Sequence, residues 1–65
     1  MIKPNQLRKG SVYKNKRGDR RKVVRVEGNT LTYKILEKNG RGPGLVGQEY
    51  TCTVDTFSRW VFVPV

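Results

Sequence analysis

Apolar and polar side chains alternate along most of this 65-residue chain. A two-residue period is the signature of strands with one buried face. Residues 11–16 read as a first strand, with Val12 and Tyr13 on opposite faces. Residues 20–27 read as a second, with Lys22 at its start and Val24 and Val26 pointing inward. Arg21, Val23, Arg25 and Glu27 then share its outer face. A third strand, residues 30–38, puts Leu31, Tyr33 and Ile35 on one side and Thr32, Lys34 and Leu36 on the other. Residues 49–54 alternate Tyr50, Cys52 and Val54 against Thr51 and Thr53, and residues 59–63 form a fifth strand ending at Pro64.

The connections carry turn chemistry. Arg17-Gly18-Asp19 and Gly28-Asn29 are tight turns between β-formers, with glycine free to take a positive φ. Residues 39–48 form a long loop holding four glycines and Pro43. Loops of this kind in compact domains are functional or disordered. Leu45 and Val46 are apolar enough to fold back on the body or to touch a partner. Asp55-Thr56-Phe57-Ser58 is too short for a useful helix and predicts a single 3₁₀ turn capped by Asp55. Phe57 then plugs one end of the fold. Residues 1–10 read as an arm, with Asn5 capping a short turn and Ile2 and Leu7 packing on the body.

These elements predict an all-β fold, a five-stranded antiparallel barrel with one long Gly-rich loop and one 3₁₀ turn before the last strand. The order of elements and the stretch Val54-Asp55-Thr56-Phe57-Ser58-Arg59-Trp60 resemble the SH3-like barrel family over most of residues 11–63. The resemblance implies one domain, with residues 1–10 as an arm and 11–63 as the barrel. Ser11-Val12-Tyr13, the Arg/Lys-rich second strand and Phe57-Ser58-Arg59-Trp60 are also similar in style to short basic proteins of phages and other mobile elements. An OB-fold is the structural alternative, though usually longer and with a proper helix. A core this small is marginal and depends on efficient packing.

Charge changes the picture most. There are 14 Lys+Arg against 5 Asp+Glu, a formal net charge of +9, and a pI near 10.3. Residues 1–27 hold ten basic and two acidic side chains, about +8; the remainder holds four and three, about +1. Clustered positive charge at high pI is the footprint of a polyanion-binding protein. The plainer alternative is a solvated face that binds nothing. The chain shows no signal-peptide core and no apolar run of membrane-spanning length, which reads as a soluble cytoplasmic protein without a membrane partner.

Catalysis finds little support. There is no histidine, hence no ready general base near neutral pH. Ser11 and Ser58 lack an adjacent base, and the five acids are scattered. Cys52 alternates with Tyr50 and Val54, so it reads as buried core rather than as a nucleophile. No intrachain disulfide can form from one cysteine, no metal or other cofactor is expected, and Gly40–Gly44 lacks the ending of a phosphate loop. The expectation is a non-enzyme.

Nucleic-acid binding has the positive case. Lys14, Lys16, Arg17, Arg20, Arg21, Arg25 and Lys34 are expected to form one surface, with Arg41 in the loop able to reach a groove. Such a patch tracks a phosphate backbone. Single-strand binders also need exposed rings for base stacking. Tyr13, opposite Val12 in the charged stretch, is the first candidate and Trp60 the second; Tyr33, Tyr50, Phe57 and Phe62 read as core. One exposed tyrosine is a thin platform, which favours backbone-led, weakly sequence-specific binding to duplex DNA or structured RNA. Two other classes stay open: an interaction module that docks on an acidic host protein, and a homo-oligomerising subunit joined through strand edges or Leu45-Val46. The oligomeric state does not follow from the sequence.

Overall fold

The structure is a computed structural model, and it describes residues 7–39 and 44–64. The expected roles of Ile2, Asn5 and Arg41 lie outside those residues. Four antiparallel strands, β1 (Val12–Lys14), β2 (Arg20–Glu27), β3 (Thr30–Glu37) and β4 (Glu49–Thr53), form an open sheet in the order β4-β3-β2-β1. One helix, α1 (Val54–Trp60), follows. Beyond it, Val63–Pro64 make a two-residue antiparallel bridge to β1, with Tyr13 opposite Pro64 and Lys14 opposite Val63. The bridge and β4 therefore lie at opposite edges. The expected closed five-stranded barrel does not form, because no described pairing joins those edges.

The strand bounds follow the turns. Gly28-Asn29 turns β2 into β3, with Glu27 opposite Thr30, as the dipeptide predicts. β1 is shorter than expected because Asn15 leaves the ladder to organise the turn. Its Oδ1 accepts from the backbone N–H of Arg17 (3.0 Å) and of Asp19 (3.0 Å). Gly18 sits there at φ +85°, a conformation that costs an L-residue energy.

The second departure lies in β2. Val23 pairs with Tyr33, but Arg25 pairs with Thr32, so Val24 is an extra residue that bulges from the ladder. A bulge shifts side-chain parity. Upstream of it Arg21 and Val23 face the core, and Val23 is fully buried. This corrects the inward placement of Val24, which is half-buried at the bulge; Val26 keeps the inward face opposite Leu31, although it is 39% exposed. Parity on β1 is also the reverse of that expected. Tyr13 faces inward and is buried, opposite Arg21, while Val12 and Lys14 lie on the other face.

The third departure is the helix. Residues 54–60 form a seven-residue α-helix rather than a 3₁₀ turn followed by a strand. Its N-cap is Thr53, not Asp55: Thr53 Oγ1 accepts from the N–H of Thr56 (3.1 Å), satisfying an orphan donor of the first turn. Asp55 in the first turn and Arg59 in the last are an i,i+4 ion pair aligned with the helix dipole. Val54, Phe57 and Ser58 are buried, so Arg59 and Trp60 are lost to the strand expected there.

The helix packs across β3 and β4. Leu7, Tyr13, Val23, Leu31, Val54, Phe57 and Val61 make the core, with Tyr33, Cys52 and Trp60 packed against it. Phe57 is its hub, meeting Tyr13 edge-on at 6.0 Å and Tyr33 and Trp60 at 5.5 Å. The loop after β3 doubles back. Gly47 N–H donates to Ile35 O (2.8 Å), and Ile35 N–H donates to Gln48 O (3.1 Å). Leu45 and Val46 remain 67% and 58% exposed. No helix among the described residues is long and apolar enough to cross a membrane.

Candidate nucleic-acid interface

The sheet has one face under α1 and one opposite it. Directly paired residues share a face. Tyr13, Arg21, Val23, Tyr33 and Leu31 define the core side, so Lys14, Arg20, Lys22 and Lys34 point to the other. Across the β1–β2 ladder Lys14 stands opposite Arg20; across the β2–β3 ladder Lys22 stands opposite Lys34. Like charges placed directly opposite on a sheet are destabilising. Glu37 offsets Arg20 at 3.4 Å in a half-exposed pair. Lys34 stands opposite Glu49 across the β3–β4 ladder, so Lys14 and Lys22 are the ones that face no carboxylate among the described residues. Arg25 extends the same face beyond the bulge, opposite Thr32, with Glu27 at 2.8 Å.

Four of the expected site residues, Lys14, Arg20, Arg25 and Lys34, are thus brought together. Lys16 and Arg17 stand apart, in the β1–β2 turn. Arg17 is 3.4 Å from Asp19, and Lys16 lies over the Phe62 ring, 5.6 Å from its centroid.

Two of the expected residues face the core instead. Tyr13 is 4% exposed, and its hydroxyl accepts from the Arg8 N–H at 3.1 Å. It offers no stacking platform; a buried tyrosine with a partnered hydroxyl is a packing residue. Arg21 is not on the phosphate-facing surface either. Its guanidinium is sandwiched between Tyr33 (4.6 Å to the centroid) and Trp60 (4.2 Å). Its Nε is buried and has no hydrogen-bond partner among the described residues. The flat, weakly hydrated guanidinium tolerates such stacking where an ammonium would not.

Lys22 is the main residue that the sequence reading left off the surface. The signal was the Val23-Val24 pair: either valine satisfies the alternation, and only the bulge decides for Val23. Phe62 is the other. Its ring reads as core in the sequence, yet it is 49% exposed.

Asp19 holds the basic turn. It is 6% exposed. One carboxylate oxygen accepts from Asn39 N–H (2.6 Å); the other accepts from Asn15 Nδ2 (3.2 Å) and Arg17 Nη2 (3.4 Å). The Asn39 hydrogen bond foremost, with the Asn15 hydrogen bond and the positive charges of Arg17 and Arg21, holds its pKa below the usual aspartate value against the opposing cost of burial. Cys52 differs. Partial burial pushes its thiol pKa up, against a small opposing pull from Arg21, which disfavours the reactive thiolate.

Comparison of the chain with family models, curated proteins and solved structures returns no match.

Proposed function

We propose that this protein is a non-enzymatic nucleic-acid-binding protein that contacts the phosphate backbone of duplex DNA or structured RNA through the face carrying Lys14, Arg20, Lys22 and Lys34. One observation carries the reading. Two like-charged pairs, Lys14–Arg20 and Lys22–Lys34, stand opposite each other on adjacent ladders of one face. Glu37 opposite Arg20 and Glu49 opposite Lys34 offset part of that repulsion, and a polyanion laid over the face removes the rest. Amino and guanidinium groups on a sheet surface meet phosphates at a spacing set by strands and pleat. They carry no base readout, so binding is backbone-led and weakly sequence-specific. Affinity comes from counterion release and falls steeply with salt.

The test is a fluorescence anisotropy titration against short duplex DNA, single-stranded DNA and duplex RNA at two salt concentrations. Four phosphate contacts give a slope of log K on log salt near −3.6, roughly a hundredfold loss over a fourfold rise in salt. Lys22→Glu with Lys34→Glu removes two positive charges and adds two negative ones at an exposed and a half-exposed position of that face. The fold stays intact and binding falls at least about tenfold, with a shallower salt slope. Unchanged affinity in the folded double variant refutes the assignment of the face. No binding to any of the three at low salt refutes the nucleic-acid reading and turns the search to an acidic protein.

A further inference from the structure

A second feature lies where β1 leaves the sheet. Lys16, Arg17, Arg59, Trp60 and Phe62 line an open groove of about 400 Å³, within the usual range of small-ligand clefts, about 300–1,000 Å³. Its walls are aromatic and its rim is cationic. Phe62 is 49% exposed, and Trp60 is half-buried, backed by Phe57 and Arg21. The Phe62 N–H donates to Lys14 O at 2.8 Å, so the ring is tied to the strand that carries the first lysine of the basic face. None of the lining residues is a carboxylate. Asp19 and Asp55 meet the two arginines from outside the groove, and both arginine side chains are more than half exposed. The Arg59–Asp55 pair is exposed on both sides, contributes little and yields to a phosphate, whereas Arg17 stays paired with the buried Asp19 while more than half of its side chain faces solvent.

We propose that this groove takes unpaired bases of a single-stranded nucleic acid, stacked on Trp60 and Phe62, with the adjoining phosphates on Lys16, Arg17 and Arg59. The inference rests on the nucleic-acid reading above and adds to it a class of substrate: a strand with unpaired bases, or a duplex carrying such a segment. Flat apolar walls accept the π-face of any base, so this contact is tolerant of sequence, and the cations select a polyanion over a neutral chain. A proline-rich peptide also uses aromatic grooves, but it gives Lys16, Arg17 and Arg59 nothing to bind.

Trp60 is the one tryptophan of the chain, so its emission reports on the groove directly. The experiment titrates the full chain with a short oligothymidylate, with a blunt duplex and with a polyproline peptide. It follows Trp60 emission and, in parallel, the anisotropy of labelled ligand, for the wild type, Phe62→Ala and Lys16→Glu. Phe62 lies outside the buried cluster. Lys16→Glu leaves every ring in place and serves as the second probe should Phe62→Ala unfold. The expected result is that oligothymidylate quenches Trp60 while the duplex binds without quenching. Phe62→Ala then weakens the single strand roughly tenfold and leaves duplex affinity within about twofold. Lys16→Glu weakens the single strand more than the duplex. If the duplex binds with the expected salt slope while oligothymidylate neither quenches Trp60 nor responds to either substitution, the groove assignment falls and the backbone reading stands. If quenching comes from polyproline and not from oligothymidylate, the groove is a peptide site and the inference is overturned. If no nucleic acid binds at low salt, both readings fall together.

Discussion

Replacing Asp19 tests how the basic turn is held. Its carboxylate ties three segments: the end of β1 through Asn15, the turn through Arg17, and the segment after β3 through Asn39. Hydrogen bonds to a charged group contribute about 1.5–3 kcal/mol. The 2.6 Å bond from Asn39 N–H, made to a carboxylate that is 6% exposed, belongs at the upper end of that range. The Arg17 pair, exposed on the arginine side, adds about 0–1 kcal/mol. Asp19→Ala is expected to cost about 2–3 kcal/mol, because it also leaves the Asn39 N–H without its acceptor. For a domain of this size that is roughly 10–20 °C in Tm. Asp19→Asn keeps an acceptor of the same shape and loses the charge, so about half of the cost is expected. The pH dependence separates charge from shape. The native pKa of Asp19 is depressed, so the unfolded chain takes up the proton first as pH falls. The stabilisation is complete above about pH 5 and is lost as pH drops through the unfolded value near 3.9 toward the native one. Urea denaturation of the wild type and Asp19→Asn from neutral to acid pH reads this as a gap that is constant at neutral pH and closes in acid. A gap of full size at the acid end would mean that the loss is one of packing, and the account of a charge-held turn would be wrong.

Three further outcomes follow from side chains already placed. Arg21→Glu puts a carboxylate against the faces of Tyr33 and Trp60, and thermal melts should show a loss of about 2–4 kcal/mol, a folding defect first and a binding defect only as its consequence. Gly44→Ala builds a Cβ about 2.5 Å from Ile35 Cδ1 at a φ of +98°, and denaturation should show a cost of about 1–3 kcal/mol. Cys52, with its thiol pKa raised by burial, should react with a disulfide reagent at mildly alkaline pH more slowly in the native protein than in urea; equal rates would contradict its placement against the core.

How much of this was legible in the sequence depended on whether one residue or several decided an element. β2 and β3 were plain, because β-forming residues flank a two-residue Gly-Asn turn on both sides and that turn sets the register. Parity within β2 was not, because Val23 and Val24 are both β-formers and a bulge is indifferent to hydropathy. One extra residue moved Arg21 inward and left Lys22 on the surface. The helix was missed for a related reason. Thr53 and Asp55 both satisfy an N-cap preference, and Val54 fits a strand as well as a first turn. What selects the helix is tertiary: it lets Phe57 reach Tyr13, Tyr33 and Trp60 at once. The same holds for the candidate interface. Composition located the charge in the first half of the chain, but only pairing shows which cations share a face.

The facing lysines give ionic strength two opposite jobs. Screening weakens repulsion between Lys22 and Lys34, so salt should make the empty domain harder to unfold. The same ions compete with the protein for phosphate, so salt should make the occupied domain fall apart into its components sooner. Binding adds to stability in proportion to the logarithm of ligand concentration over Kd. The protein is therefore most persistent when laid along a polyanion in dilute buffer and most fragile when alone there. A single melting series in salt, with and without ligand, should give two curves that slope toward each other and meet where the ligand lets go.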